Sequence, residues 1–177
     1  MIPTLVVGFG NPLMGDDGVG AMVIAELEKI GAPRGLRAST LADVLYLSSA
    51  WRGEARVWMV DAVLRGAAPG AVHRFGHEEV LGNPQRHATV HHLSLAEGLR
   101  WIVHGYPAMA GVRFRLWGVE PESVEPVEAL SPVVARAAGT VAREIADVFR
   151  DSYRQCRPRC DDNRAESQMS TRPEILE

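Results

Sequence analysis

Thr4-Leu-Val-Val-Gly-Phe-Gly-Asn-Pro-Leu-Met-Gly-Asp-Asp-Gly-Val-Gly20 is the stretch from which the rest of the chain can be read. Leu5 to Val7 is a short apolar run, rich in β-branched residues and stopped by glycine, which predicts a buried strand. Gly8 and Gly10 then let the backbone turn tightly with nothing projecting from it. Pro12 keeps the residues that follow out of a strand ladder. Asp16 and Asp17 stand just before an amphipathic run that begins at Val19. The stretch therefore predicts a strand, a glycine loop and a helix entrance carrying two negative charges.

Three readings compete for this loop. A dinucleotide site is one, because glycine loops between a strand and a helix often cradle phosphates. That fingerprint wants a third glycine where Leu13 stands, and the two aspartates would repel a pyrophosphate. A second reading is helix capping, in which an Asp side chain accepts from N–H groups at the helix start and favours its dipole. In the third, one carboxylate caps while its neighbour points outward as a metal ligand or an acid/base group. The loop by itself leaves these open.

A chain of 177 residues is long enough to bury a real core and short enough for one domain. Its 46% hydrophobic and 23% charged residues are ordinary for a globular protein. The net charge of −3 gives no reason to expect a nucleic-acid or membrane surface. No apolar stretch approaches the ~20 residues needed to span a bilayer. The amino terminus lacks a basic n-region and enters a strand directly, so a cytoplasmic protein is expected. Cys156 and Cys160 lie together in a polar tail, where a second ligand pair is missing, and are read as unremarkable thiols.

Along the chain, Val19, Met22, Val23, Ile24, Leu27 and Ile30 recur at helical spacing, and Gly31-Ala-Pro33 ends that helix. A weak strand follows near Leu36 to Ser39, then a short helix through Val44, Leu45, Leu47 and Trp51. Arg56 to Val63 is apolar enough for a strand buried on both faces, and its hydrophobic run ends on Asp61. Ala71 to Phe75 reads as an edge strand. Gly76 to Val90, with His77 and His87, is polar and predicts irregular structure. His91 to Val103 reads as the entry and body of another helix, and Val112 to Val119 as a last strand with one face more exposed. Glu120 to Pro126 is a loop stiffened by prolines, after which Ser131-Pro132 starts a long helix through Phe149. Strands alternating with helices imply one α/β domain over 1–152, a three-layer sandwich with a mainly parallel twisted sheet covered on both faces. Residues 153–177 carry no core pattern and read as a tail.

In open α/β sheets, sites lie beyond the carboxyl ends of the strands. The loop with Asp16 and Asp17 leaves the first strand there, Asp61 ends another strand at the same edge, and the long loop before His91 can reach it. Two carboxylates and an imidazole suit a divalent ion such as zinc or nickel, and three protein ligands leave positions open for water or substrate. Such a metal polarises a carbonyl and lowers the pKa of its water. Each residue alone has a plainer role: Asp61 as the cap of a following turn, and His91 and His92 as a helix-start pair. His73, His77, His87 and His104 belong to the same structural class.

Val7-Gly-Phe-Gly-Asn-Pro-Leu-Met-Gly-Asp-Asp-Gly-Val-Gly20 resembles the amino-terminal signature of the hydrogenase maturation endopeptidases. The strand end Val60-Asp-Ala62, the segment His91-His-Leu-Ser-Leu95 and Leu116-Trp-Gly-Val-Glu-Pro-Glu-Ser-Val-Glu-Pro126 resemble the same family in the same order, so the likeness covers about residues 4 to 150. The resemblance implies an α/β sandwich and a protease that removes the carboxyl-terminal extension of a nickel–iron hydrogenase large-subunit precursor after nickel insertion. It also implies a site formed by Asp17, Asp61 and His91, which serve as catalytic residues and as ligands of the precursor's nickel or a substitute divalent metal. By the same resemblance Asp16 is the structural member of its pair. One departure stands out: relatives often carry Asp-Gly-Gly-Thr after the second strand, where this chain has Ser39-Thr-Leu-Ala-Asp43.

The resulting expectation is a monomeric, metal-dependent endopeptidase acting on that precursor. No Ser or Cys nucleophile with a partnered base is evident, which argues against covalent catalysis. The rival expectations are a nickel-binding chaperone or sensor that does not hydrolyse, and a nucleotide-binding module.

Overall fold

The structure, a computed structural model, describes residues 2–82, 88–89 and 95–155. His87, His91, His92, Cys156 and Cys160 lie outside the described residues, as does most of the expected tail. Among the described residues, six strands, Thr4–Phe9 (β1), Leu36–Leu41 (β2), Arg56–Leu64 (β3), Val72–Phe75 (β4), Ala88–Thr89 (β5) and Arg113–Val119 (β6), are interspersed with five helices. The helices are Val19–Lys29 (α1), Leu47–Ala50 (α2), His77–Gly82 (α3), Leu95–Gly105 (α4) and Pro132–Gln155 (α5).

The main sheet runs in the order β2-β1-β3-β6-β4, and all its pairings are parallel except that of the edge strand β4 with β6. Side chains alternate across it as a strand's period of two requires. Val6, Trp58, Val60, Trp117 and Val119 face one layer, with Val23 and Leu27 of α1 and Val141 and Ile145 of α5. Leu5, Val7, Val57, Met59, Phe114 and Leu116 face the other, with Leu47 of α2, Val80 of α3 and Leu99 of α4. These two cores make the three-layer α/β sandwich that the alternation of strands and helices implies.

Five expectations shift in detail. β2 runs on to Leu41, because its pairing with β1 continues to Phe9. The short helix after β2 divides into a 3-10 turn, Val44–Tyr46, and α2. β3 runs to Leu64, one residue past the expected Val63, so Asp61 lies within the strand and not at its end; Ala62 pairs with β6 and Val63 and Leu64 with β5. The polar segment after β4 contains a helix, α3, which Glu79 fastens by accepting from the Gly76 N–H at 2.8 Å. α5 runs to Gln155, beyond the last residue of its apolar face.

The strand order creates one crevice. From β1 the chain crosses to β2 on one side, and then returns to β3 on the other side of β1. Connections leaving the carboxyl ends of β1 and β3 thus diverge, and the gap between them is the topological switch point where sheets of this type place their ligands.

Candidate active site

The loop after β1 is built by close backbone approach. A Cβ on Gly10, whose φ is +113°, would lie 1.8 Å from the Asp17 carbonyl oxygen, so only glycine lets the loop fold back on the turn that follows. That turn, Gly15–Gly18, is a 3-10 turn packed against β3, and it buries both aspartates. Neither carboxylate caps α1, whose N-cap position is Gly18 with no side-chain hydrogen bond. The capping reading fails because the aspartates are part of the extra turn, and Gly18 holds the cap position.

The two neighbours do different things. Asp16 turns toward the loop after β6: its Oδ2 accepts from the N–H groups of Glu122 (2.8 Å) and Ser123 (3.2 Å) and from the Ser131 hydroxyl (2.9 Å), while Oδ1 accepts from the Ser131 N–H (2.7 Å). That full set of donors makes it a structural clamp. Asp17 turns inward, and its Oδ2 accepts from the Asn11 N–H at 2.7 Å.

Asp61 lies on β3, at the other side of the crevice, and is 1% exposed. Its Oδ1 accepts from the N–H of Ala62 at 2.9 Å, a bond inside the strand rather than the cap of a following turn. Burial pushes the Asp61 carboxyl well above the ordinary carboxylate range, the nearby Asp17 carboxylate pushes it further, and Asp43 adds a smaller push; the Ala62 bond opposes them. The structure therefore brings Asp17 and Asp61 into one electrostatic unit. His91, the third member expected from the sequence, is outside the described residues. Among the described residues no group of three His, Cys, Asp or Glu side chains is placed to hold a metal ion.

Two acids that the sequence reading did not single out also stand at this edge. Asp43 follows β2 and accepts from the Leu45 N–H at 2.8 Å, which starts the Val44–Tyr46 turn. Glu120, 3% exposed, follows β6 and gathers the N–H groups of Arg65 and Gly66 at 2.8 to 3.0 Å and Nε2 of His73 at 3.1 Å. Burial raises the Glu120 carboxyl, but the bonds from Arg65, His73 and Gly66 outweigh it and hold the group below the usual range. An acid at the end of a central strand was the signal used for Asp61, and it applied equally to Glu120. Of the remaining histidines, His77 accepts the Phe114 N–H on Nδ1 at 3.1 Å and stacks on that ring, while His104 is exposed on α4.

A parallel α/β sandwich with two buried acids astride its switch point defines a class of domain whose chemistry sits at the carboxyl edge of the sheet. The profile of the HycI hydrogenase maturation proteases matches residues 38–148. This chain belongs to the hydrogenase maturation protease family. The NiFe hydrogenase maturation protease HybD from Thermococcus kodakarensis is similar in structure, with a TM-score of 0.70 and 25% identity over 82% of this chain and 97% of that one. The hydrogenase maturating endopeptidase HybD from E. coli shares the fold at a TM-score of 0.67 and 23% identity, covering 84% of this chain and 93% of its own. In sequence, Protein FrxA of Pyrococcus furiosus is 29% identical over 140 residues, which are 78% of this chain and 98% of that protein.

Proposed function

We propose that this chain is the endopeptidase that removes the carboxyl-terminal extension of a nickel–iron hydrogenase large-subunit precursor once nickel is in place. The observation that supports this most directly is the pairing of Asp17 with Asp61. The Asp17 charge adds to burial in disfavouring ionisation of Asp61, and a cation at the site removes that conflict. Oxygen donors together with an imidazole suit nickel and, as substitutes, other divalent metals. In this reading His91 supplies the imidazole, and the precursor brings the nickel, so that only metal-loaded substrate completes the site.

Nickel bound there would supply a Lewis acid for the scissile carbonyl. The chain's own residues do the rest. Asp17, fixed by the Asn11 N–H, and Asp61, fixed by the Ala62 N–H, orient the docked precursor. Asp61 holds a proton while the site is buried and uncompensated, and releases it when positive charge arrives. Its carboxylate then serves as one of the oxygen donors to the precursor's nickel. The setting for this work is the cytoplasm, with the chain acting as a monomer.

Incubation with nickel-loaded precursor, followed by intact mass, tests the proposal. The wild-type chain should shorten the precursor, and the nickel-free precursor should survive. Asp17→Ala, Asp61→Ala and His91→Ala should stay folded and leave the precursor whole. Binding without any change of mass would replace the endopeptidase with a nickel-binding chaperone.

A further inference from the structure

A groove of about 520 Å³ runs beside the Gly15–Gly18 turn, between α1 and the segment that leads into α5. Pro12, Gly18, Ala21 and Ala25 form one wall, and Glu128 and Leu130 lie on the other. The first wall carries little bulk: Gly18 packs against Pro12 with no room for a Cβ, and Ala21 and Ala25 sit one helical turn apart on the same face of α1, with Met22 the one long side chain beside them. Such a wall admits the main chain of a ligand as well as its side chains. Leu13 and Val127 are more than half exposed nearby, at 57% and 53%.

The walls are fastened to each other. The Gly15 N–H donates to the Val127 carbonyl at 2.7 Å and the Asp16 N–H to the Ser123 carbonyl at 3.0 Å, beside the Asp16 clamp on Ser131. The groove is therefore preformed, and it lies beside the site, because Gly15 and Gly18 of its lining belong to the same turn as Asp17.

Its charge is one-sided. Residues 12–25 and 120–135 contain no Lys, Arg or His; of their acids Asp16, Asp17 and Glu120 are buried, whereas Glu122, Glu125 and Glu128 are exposed and Glu128 lines the groove. A chain entering this groove must be apolar enough to cover its floor and positive enough to meet its rim. In the endopeptidase reading, one side of the cut belongs to the folded, nickel-loaded subunit. The other side is the segment to be discarded, which needs a grip of its own.

We infer that this groove holds the precursor's carboxyl-terminal extension as an extended, positively charged segment with small or apolar side chains. The inference rests on the endopeptidase reading above and adds the place and chemistry of substrate docking. Glu128, exposed on the rim, sets the preference for positive charge, and the Ala21–Ala25 face sets the limit on bulk.

Two variants test it, Glu128→Lys on the rim and Ala25→Trp in the groove, with thermal melting to check the fold. With nickel-loaded precursor each should raise KM about tenfold and leave kcat unchanged, because docking and not chemistry is altered. A labelled synthetic peptide with the sequence of the extension should bind the wild-type chain and lose about tenfold in affinity to each variant. Glu128→Lys should recover a precursor whose extension has its Lys and Arg replaced by Glu. If Ala25→Trp does not fold, Glu128→Lys decides alone. Unchanged KM and unchanged peptide affinity overturn the inference, as does an extension without basic residues that is processed normally. Failure of the wild-type chain to cut, with the peptide still bound in the groove, would instead count against the endopeptidase reading alone.

Discussion

Asp16 and Ser131, 115 residues apart in sequence, are joined twice: the Ser131 N–H meets Oδ1 at 2.7 Å and the Ser131 hydroxyl meets Oδ2 at 2.9 Å. The glycine loop after β1 and the first turn of α5 are by this means one structural unit. Adjacent aspartates thus have unlike duties, one tying the frame together and the other facing the crevice.

That difference is measurable. Asp16→Ala leaves four donors without their acceptor and should cost about 3 kcal/mol of stability, seen as a lower urea midpoint. Asp17→Ala takes the acceptor from the Asn11 N–H and should cost less, about 1.5 kcal/mol. Processing should show the reverse pattern, with Asp17→Ala inactive and Asp16→Ala active in proportion to the folded fraction.

The raised pKa of Asp61 gives stability a definite slope. A carboxyl whose folded pKa lies above its unfolded value contributes stability that is fully present below the unfolded pKa and is lost as pH rises through the folded one. Burial first, then the Asp17 and Asp43 charges, raise it here. The metal-free wild type should therefore weaken relative to Asp61→Asn as the pH is raised from about 5 to about 9, read from paired urea midpoints. Wild-type curves parallel to those of the variant would remove the basis for a proton on Asp61.

Glu120 should behave in the opposite sense. Its carboxyl is held low by Arg65, His73 and Gly66 against the effect of burial, so its contribution is present above the unfolded value and lost as pH falls through the folded one. Glu120→Gln should flatten the acid limb of the stability profile. Glu120→Ala should cost about 3 kcal/mol, since it strands the Arg65 and Gly66 N–H groups. Amide exchange at residues 65 and 66 reads the same loss locally.

Gly8 and Gly20 mark where β1 and α1 touch backbone to backbone. A Cβ on Gly8 would lie 2.1 Å from the Gly20 carbonyl oxygen, and one on Gly20 would lie 2.2 Å from that of Phe9. Neither obstacle is a side chain that can swing away. Gly8→Ala or Gly20→Ala should cost about 3 kcal/mol or more, visible as a fall in Tm, while Gly31→Ala should have a smaller effect that comes from its φ of +76° alone.

Much of the architecture was legible from periodicity, because burial imposes it directly. Val6 and Val7 face opposite cores, as adjacent strand residues must, and the apolar run Val57 to Val60 is buried on both faces as its composition required. The α3 helix was not legible, since His77 to Gly82 is mostly polar and depends on local anchors such as the Gly76–Glu79 bond. The last residue of β3, Leu64, was hidden, because it is set by pairing with Ala88 of β5 and not by the strand's own residues.

For the site, the sequence by itself determined which residue types stand at the ends of β1 and β3, and that a glycine loop there carries two acids. Only the tertiary structure decided which of those acids turns inward. Asp16 finds its donors at 122, 123 and 131, more than a hundred positions away, and nothing near it in the chain announces them. The charge state of Asp61 was likewise undecidable in one dimension. It depends on burial and on the spacing between strands, which come into being only when β1 and β3 lie side by side.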